Sequence, residues 1–283
     1  MTSKDLTVII TTFKSEDKID NCLNSIDPNI RIIIVENSNN QKFKNYIENK
    51  FQNTECILAN ANLGYGKANN LGLKKVKTKY SLILNPDTVL ENDSLRNFFI
   101  SVKENLNFAI LGPLQINKEL TLENINKYNN FSLIETDSIH GHAMFLNMEK
   151  FLDIGFFDEK IFLYLEETDL CKRIKKINEK IYIDPNIKIF HFGAKAVNEI
   201  FSYQIELTRN WHWMWSLFYY NKKHFNYFNA LMKVSPIFFS ALFKCLFYKV
   251  ISNNRKKEIY SQRLSGLINS ILGKSSWYRP TLD

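Results

Sequence analysis

The chain has 283 residues, with 37 lysines and arginines against 29 aspartates and glutamates, for a formal net charge of +8. This length allows one large α/β domain with an appendage, or two modest domains, and excludes a small disulfide-stapled scaffold. The four cysteines are widely spaced and form no CxxC pair, which argues against a disulfide framework or a zinc module. The basic excess suits anionic lipid, a phosphorylated substrate or nucleic acid, and equally a solvated surface.

The first part of the chain predicts alternating strands and helices. Residues 6–13 are a β-branched run typical of a strand buried on both faces, and Ser15–Ser25 carries apolar residues at helical spacing with Ser15 as its expected cap. Later elements are expected as strands at 31–35, 56–59 and 80–87 and as helices at 43–51 and after the glycine-containing turn at 62–72. The alternation predicts an α/β fold with a mostly parallel sheet flanked by helices. Such sheets bind ligands at the carboxyl ends of their strands, here near Thr11, Glu36 and Asp87.

Beyond residue 108 the rhythm is less regular. We expect strands at 143–147, 181–183 and 187–190 and a helix at 166–176, with a long polar stretch reaching Asn130. The N-terminal residues lack the basic, apolar and small-residue regions of a secretory signal, so a cytoplasmic location is expected.

The composition changes at about Tyr203, which predicts a domain over 1–202 and a helical extension over 203–283. Residues 211–250 are dense in tryptophan, phenylalanine and tyrosine. A spanning helix needs about 20 mainly apolar residues, and Lys233, Pro236 and Lys244 disfavour one here. Two interpretations remain open: a helix lying in the membrane interface, or a helical cap whose aromatic side chains pack on the domain.

Acidic residues follow two apolar segments. Asp87 ends a predicted buried strand, in the sequence NPDT, where a carboxylate needs a partner such as a cation; a cap or turn role is the commoner explanation. Glu166, Glu167 and Asp169 open the predicted helix at 166–176, where acidic residues favour the helix dipole and one of them is a candidate base.

Two further signals are weak when taken singly. His191 ends a short apolar strand and is a metal ligand only if it faces Asp87; otherwise it is a packed core histidine. The turn that includes Asn62 and Gly64 and opens a helix is suited to a close approach to phosphate. It contains neither GxxxxGK[ST] nor GxGxxG.

Taken together, six segments in order resemble glycosyltransferase family 2, most closely its rhamnosyltransferase-like branch. These segments are VIITTF at the start, IIIVENS at 32–38, NLGYGKANNLG at 62–72, LILNPDT at 82–88, GFFDEKIFLYLEETDLCKR at 155–173 and IFHFGAKA at 189–196. The resemblance covers roughly the first 200 residues. It implies a GT-A (Rossmann-like) fold and an inverting transfer of sugar from a nucleotide diphosphate donor, of dTDP or UDP type, to a glycan or lipid-linked glycan, in cell-surface polysaccharide synthesis.

The resemblance also implies roles for individual residues. Asp87 and His191 match the ligands of Mg²⁺ or Mn²⁺, and Glu167 matches the base, with Glu166 and Asp169 orienting the acceptor or bracing the helix. Gly141 and His142 match an acceptor-side loop. The donor-binding positions are Thr11, Thr12, Phe13, Glu36, Asn37, Asn62, Gly64, Lys67, Asn70 and Asn85.

The sequence departs from the family pattern at three of these positions. Asn85 stands where the first aspartate of DxD is usual, which leaves Asp87 as the sole carboxylate of that signature. Glu36 and Glu167 stand where aspartates are usual, and the extra methylene lengthens the reach of each carboxylate.

Two other functions compete with sugar transfer. A glycoside hydrolase would use the paired carboxylates but would leave the NPDT segment and the nucleotide-binding half without a role. A basic module that binds nucleic acid or lipid headgroups would explain the charge, yet the basic residues are scattered and the acidic cluster at 158–169 would repel phosphate, so we expect no nucleic-acid partner.

Overall fold

A computed structural model describes residues 2–16, 18–103, 107–116, 133–191 and 199–279. The chain divides into two units, the first comprising 1–157 and 167–198, the second 158–166 and 199–283. The strands are β1 (Leu6–Thr12), β2 (Arg31–Glu36), β3 (Thr54–Leu58), β4 (Tyr80–Leu84), β5 (Thr88–Leu90), β6 (Ile110–Ile116), β7 (Ile134–Glu135), β8 (Ala143–Asn147) and β9 (Ile181–His191). The helices are α1 (Ile19–Asn24), α2 (Gln41–Lys50), α3 (Tyr65–Leu73), α4 (Ser94–Lys103), α5 (Phe151–Ile154), α6 (Glu166–Lys176), α7 (Ser202–His224), α8 (Tyr227–Val250) and α9 (Asn254–Ile271).

One sheet organises the first unit, with strand order β3-β2-β1-β4-β8-β6-β9-β5 and with β7 also paired to β9. The pairs among β3, β2, β1 and β4 are parallel, as the alternating pattern predicts. Beyond β4 the sheet is mixed, because β8 runs antiparallel to both β4 and β6, whereas β6 and β9 are parallel. The α/β fold class is confirmed, and the part of the sheet in which every pair is parallel is the first half, from β3 to β4.

Successive residues of the central strands enter cores on opposite faces of the sheet. In β1, Val8 and Ile10 join one buried cluster whereas Ile9 joins the other. β4 alternates in the same way, with Leu82 on the first face and Ile83 on the second. Period-two alternation with both faces covered explains why these strands read as unbroken apolar runs.

Two local expectations for the first unit are wrong. Ser15 does not cap α1, because the helix begins at Ile19 and the Ser15 hydroxyl is engaged with the backbone of Phe13. The two strands expected at 181–183 and 187–190 are a single strand, because β9 continues through Asp184-Pro185. Its pairing with β6 shifts register between Pro113 and Leu114. Most of the polar stretch reaching Asn130 lies outside the described residues.

The second unit is helical. Helices α7, α8 and α9 share a small buried cluster that includes Met214, Phe218, Val234 and Leu267. At Gly266 on α9 an added Cβ would lie 2.1 Å from the carbonyl oxygen of Trp211, so only glycine allows this approach to the backbone of α7. The residues 158–166 belong to this unit although the sequence places them between elements of the first.

Candidate functional site

Three chain segments converge where β4 ends. Asp87 lies in the short turn between β4 and β5, and β5 pairs antiparallel with β9 so that Thr88 stands opposite His191. β8 pairs with β4 in a register that sets Ala143 opposite Leu84, and the Asn85 N–H donates to the carbonyl of His142. The sheet topology therefore brings residues 85–87, 142 and 191 together, although they are distant in sequence.

Asp87 and His191 form the centre of this group. The His191 Nε2 atom lies 3.4 Å from Asp87 Oδ1, and the Asp87 side chain is only 2% exposed. Oδ1 has no hydrogen-bond donor among the described residues. A buried carboxylate oxygen in this state is costly unless a cation completes it.

His142 extends the group away from Asp87. Its ring stacks on that of His191, with centroids 4.7 Å apart and planes 6° apart. Burial, together with the neighbouring His191 and His140, lowers the pKa of His142 to about 3, so the imidazole is neutral. Its Nε2 atom is buried and has no hydrogen-bond partner in the described part of the chain.

The donor set suits a hard divalent cation. A carboxylate oxygen suits both Mg²⁺ and Mn²⁺, an imidazole nitrogen suits Mn²⁺ better than Mg²⁺, and phosphate oxygens and water would fill the remaining positions. Within the residues that the structure describes, no group of three or more histidine, cysteine, aspartate or glutamate side chains is placed to hold a metal. A cation here would depend on ligands from a bound substrate.

Glu167 lies in the first turn of α6 and is half-buried. Burial raises the pKa of its carboxyl group, an effect opposed by the backbone N–H groups of the helix start and by nearby His140. A raised pKa makes a carboxylate a better proton acceptor. Immediately before this helix, Tyr164 and Leu165 have φ values of 72° and 66°, a left-handed conformation that side chains other than glycine rarely adopt.

Asp169, two residues further along α6, is in a different state. It is fully buried and its Oδ2 accepts from Arg173 Nε at 2.9 Å. The same guanidinium donates to the carbonyl oxygens of Ile154, at 2.9 Å, and of Phe156. Of the two roles expected for Asp169, bracing the helix is the one that these contacts support.

His140 was not among the expected site residues. Its ring lies 6.0 Å from that of His142, and its proximity lowers the pKa of the Glu167 carboxyl group. The sequence signal was the alternation His140-Gly141-His142 directly before β8. The carbonyl of Gly141 accepts from the hydroxyl of Tyr65, which fixes this loop against the start of α3.

Several of the expected donor-binding residues have structural contacts that the sequence did not reveal. Asn70 exchanges two hydrogen bonds with the backbone of Phe157, at 2.9 and 3.0 Å. Asn37 likewise makes two hydrogen bonds with the backbone of the loop before α3: its side chain donates to the Gly64 carbonyl and accepts from the Leu63 N–H. These amides hold the walls of the site in place.

Glu36 is likewise engaged within its own turn. One carboxylate oxygen accepts from the backbone and hydroxyl of Ser38, and the other accepts from the Asn40 N–H at 2.6 Å. The side chain is almost fully buried. Its oxygens therefore shape the loop after β2.

The remaining expected donor-side residues lie around the carboxyl ends of β1 and β2 and the start of α3. The Thr11 hydroxyl donates to Asn69, and Thr12 has a buried hydroxyl without a hydrogen-bond partner among the described residues. Gly64 has a φ of 80° and is the N-cap of α3, and the Asn62 side chain accepts from its N–H. Phe13 is half-buried, and Lys67 is exposed in the first turn of α3.

The sequence model of glycosyl transferase family 2 matches residues 7–169. The chain belongs to this family. The match begins in β1 and ends at Asp169. It includes Asp87, His142 and Glu167 but not His191.

Relatives share this family at low identity. A low-salt glycan biosynthesis hexosyltransferase, Agl10 from Haloferax volcanii, is 25% identical over 198 residues, which cover 62% of this chain and 64% of that protein. The rhamnosyltransferase WbbL of Escherichia coli is 23% identical, covering 69% of this chain and 86% of the relative. The dTDP-rhamnosyl transferase RfbF of Shigella flexneri is also 23% identical, covering 69% and 72%. The chain thus spans under two thirds of the length of Agl10.

Solved structures support the fold. A mannosyltransferase from Pyrobaculum calidifontis, in complex with GDP-Man and Mn²⁺, matches with a TM-score of 0.59 at 12% identity, covering 95% of this chain and 88% of that one. TarS of S. aureus, residues 1–349, gives a TM-score of 0.54 at 15% identity, covering 97% and 93%. At this identity the likeness concerns the fold, which is GT-A.

Proposed function

We propose that this member of glycosyl transferase family 2 transfers a sugar, with inversion, from a nucleotide diphosphate donor to a hydroxyl group of a glycan or lipid-linked glycan. The observation that carries the proposal is the meeting of Asp87 and His191 at the carboxyl edge of the parallel strands, with a buried carboxylate oxygen that has no donor. Nucleotides bind at this edge in open α/β sheets.

In this proposal Asp87 and His191 hold Mg²⁺ or Mn²⁺ together with the diphosphate of the donor. When bound, the cation would neutralise charge developing on the departing diphosphate. The P. calidifontis mannosyltransferase is in complex with both GDP-Man and Mn²⁺, which supports a divalent cation for this fold. Relatives named as rhamnosyltransferases favour dTDP-rhamnose as the donor.

Glu167 is the proposed base. Its carboxylate takes the proton from the acceptor hydroxyl while that oxygen attacks the anomeric carbon. The bond between the anomeric carbon and the diphosphate oxygen breaks on the opposite face, and the diphosphate leaves with the electron pair. The half-buried position and raised pKa of Glu167 support this role. Glu166, the first residue of α6, and the Gly141–His142 loop are proposed to contact the acceptor.

The proposal is tested by thermal unfolding with UDP, dTDP and GDP, each with Mn²⁺, with Mg²⁺ and with EDTA. A nucleotide bound at 100 times its Kd stabilises the folded state by about 2.7 kcal/mol, and we expect this only with metal and best with dTDP or UDP. Stabilisation that is equal in EDTA, or that survives Asp87→Asn unchanged, would contradict the proposed metal site.

We also propose a cytoplasmic enzyme held at an anionic membrane surface by α8, acting in cell-surface glycan synthesis. Large side chains are exposed along this helix, including Phe228, Phe239, Phe243 and Val250 at 65% or more. Between Glu206 and Glu258 the sequence has no acidic residue. It has basic residues at Arg209, Lys222, Lys223, Lys233, Lys244, Lys249, Arg255, Lys256 and Lys257. An apolar face flanked by cations fits anionic lipid.

Within the described chain, α8 is also the one helix long and apolar enough to cross a membrane. Binding to lipid vesicles distinguishes a helix that lies in the membrane interface from one that spans the membrane. We expect the protein to sediment with phosphatidylglycerol vesicles and hardly at all with phosphatidylcholine vesicles. Alkaline carbonate should release the bound protein, because an interfacial helix is not anchored across the bilayer. Phe239→Ser with Phe243→Ser should abolish binding, whereas Leu152→Ser, at an 85% exposed position of the first unit, should not. Retention after carbonate would favour a spanning helix.

A further inference from the structure

The second unit contains a cavity of about 490 Å³ that the proposed sugar transfer does not use. Three segments line it: the face of α7 with Trp215 and Tyr219, the turn after α9, and the segment at 159–160. This volume is within the range of small-molecule sites. All of its lining residues belong to the second unit.

The aromatic wall of this cavity is fixed in place. Trp215 and Tyr219 stack with ring centroids 4.9 Å apart and planes 17° apart. The Trp215 N–H donates to the carbonyl of Lys274 at 3.0 Å, and the Tyr219 hydroxyl donates to Asp158 at 2.8 Å. With these polar atoms engaged, the wall offers a ring face to a ligand and needs little ordering on binding.

Two of the three serines that line the cavity, Ser270 and Ser276, are engaged as well. Ser270 donates to the Trp215 carbonyl at 2.8 Å, and the hydroxyl of Ser276 is hydrogen-bonded to Nδ1 of His212 at 2.9 Å. A ligand therefore gains few hydrogen bonds from these side chains. Specific polar recognition must come from the charged residues at the edge and from the exposed Ser275.

Lys160, Lys222 and Lys274 contribute three ammonium groups to the lining, against one carboxylate from Glu159. In the described residues none of the three lysines makes an ion pair; Lys222 has only a ring contact, 5.6 Å from the centroid of Tyr227. The adjacent Lys223 differs, since it pairs with Asp158 at 2.7 Å. Three cations from three separate segments leave this cavity with an excess of positive charge.

We propose that this cavity binds an organic phosphate or diphosphate, with the lysines on the phosphate and the carbon skeleton on Trp215 and Tyr219. Ammonium groups bind phosphate as point charges, and the aromatic wall adds the burial of apolar or ring surface. Lipid-linked sugar diphosphates and soluble sugar phosphates share this chemistry. The inference does not require the proposed transfer reaction.

Calorimetric titration of the full chain in EDTA tests this site, with geranyl diphosphate, glucose 1-phosphate and inorganic pyrophosphate as probes. We expect at least one organic probe to bind at least tenfold more tightly than pyrophosphate. Lys222→Ala with Lys274→Ala should weaken that probe about tenfold, whereas Lys42→Ala with Lys77→Ala removes the same charge from the first unit and should leave it within twofold. All four lysines are exposed, and circular dichroism checks that both variants fold.

The same titrations identify the source of the ligand. Tighter binding of geranyl diphosphate supports a lipid-linked ligand, and tighter binding of glucose 1-phosphate supports a soluble one. The proposal is overturned if no organic probe binds, if pyrophosphate binds equally well, or if the two double variants behave alike. Repeating the titration in Asp87→Asn should change nothing, so a failure of the proposed transfer would leave this result intact.

Discussion

Asp87 and Asp169 are both almost fully buried, yet their surroundings are opposite. Asp169 is neutralised within the protein by Arg173, which also ties down the carbonyl groups at 154–156. The Asp87 Oδ1 atom lies 3.4 Å from His191 Nε2 and has no hydrogen-bond donor in the described chain. The contacts of Asp169 are structural, whereas a buried carboxylate without an internal cation is costly, and we propose that Asp87 takes a cation from outside.

Glu167 sharpens the contrast, because it shares the first turns of α6 with Asp169. Among the described residues no lysine or arginine pairs with it, and its pKa is raised by burial. We therefore propose that the position of a single arginine divides two carboxylates of one helix between catalysis and structure. The following predictions test that division.

The largest effect is expected for Glu167→Gln. Loss of a general base lowers turnover by 10² to 10⁴, and we expect about 10³-fold here. Nucleotide-dependent stabilisation should be retained, because the amide keeps the shape of the side chain. Glu149→Gln, at an exposed position of the same unit, is the control. Turnover near that of the wild type would remove Glu167 from the mechanism.

Asp87→Asn should lower turnover by about 10²-fold to 10³-fold, the range for losing one preorganised electrostatic group. Its melting temperature should not fall, because the change removes a buried charge that has no internal cation. Metal-dependent nucleotide binding should be lost in the same variant. Asp93→Asn, an exposed position close in sequence, should behave as wild type. A destabilised variant with normal turnover would reverse the assignment.

Asp169→Asn should act on stability. The pair with Arg173 is buried on the aspartate side but 21% exposed on the arginine side, so we expect a loss of about 2 to 3 kcal/mol rather than the larger cost of a fully buried pair. Urea denaturation measures it, and turnover per folded molecule should stay within about threefold of wild type. Normal stability with lost turnover would move Asp169 into the catalytic group.

The sequence predicted this site unevenly, for physical reasons. β1, β2 and β4 could be predicted because both of their faces are buried, so each is a continuous apolar run. β5 could not, since three residues form a strand only through pairing with β9. That same pairing sets His191 beside Asp87, and the sequence could name both residues without showing that they meet.

The structural roles of the Asn70 and Asn37 side chains were harder still to predict from the sequence. Asn70 and Phe157 are 87 positions apart, and Asn37 and Gly64 are 27 apart. A family resemblance suggests that such asparagines contact the donor, whereas only the folded chain shows their side chains engaged with backbone. The hydrogen bonds from Arg173 to the carbonyl groups of residues 154–156 could not be predicted either, because they too form only in the folded chain.

The smallest predicted effect is a shift in pH dependence caused by Glu167. A proton on the base blocks turnover, and burial raises the pKa of this carboxyl group, so kcat/KM should fall with decreasing pH at a higher pH than an ordinary glutamate would give.

The raised pKa of Glu167 also makes the stability of the fold depend on pH. The folded state holds the proton more tightly than the unfolded state, so Glu167 stabilises the fold at low pH and loses that contribution as pH rises through its folded pKa. Glu167→Gln should therefore be at least as stable as wild type at neutral pH and show no acid limb in its residual rate. A variant less stable at neutral pH, with an unchanged acid limb, would mean that this carboxylate serves the fold of α6 and that another group titrates.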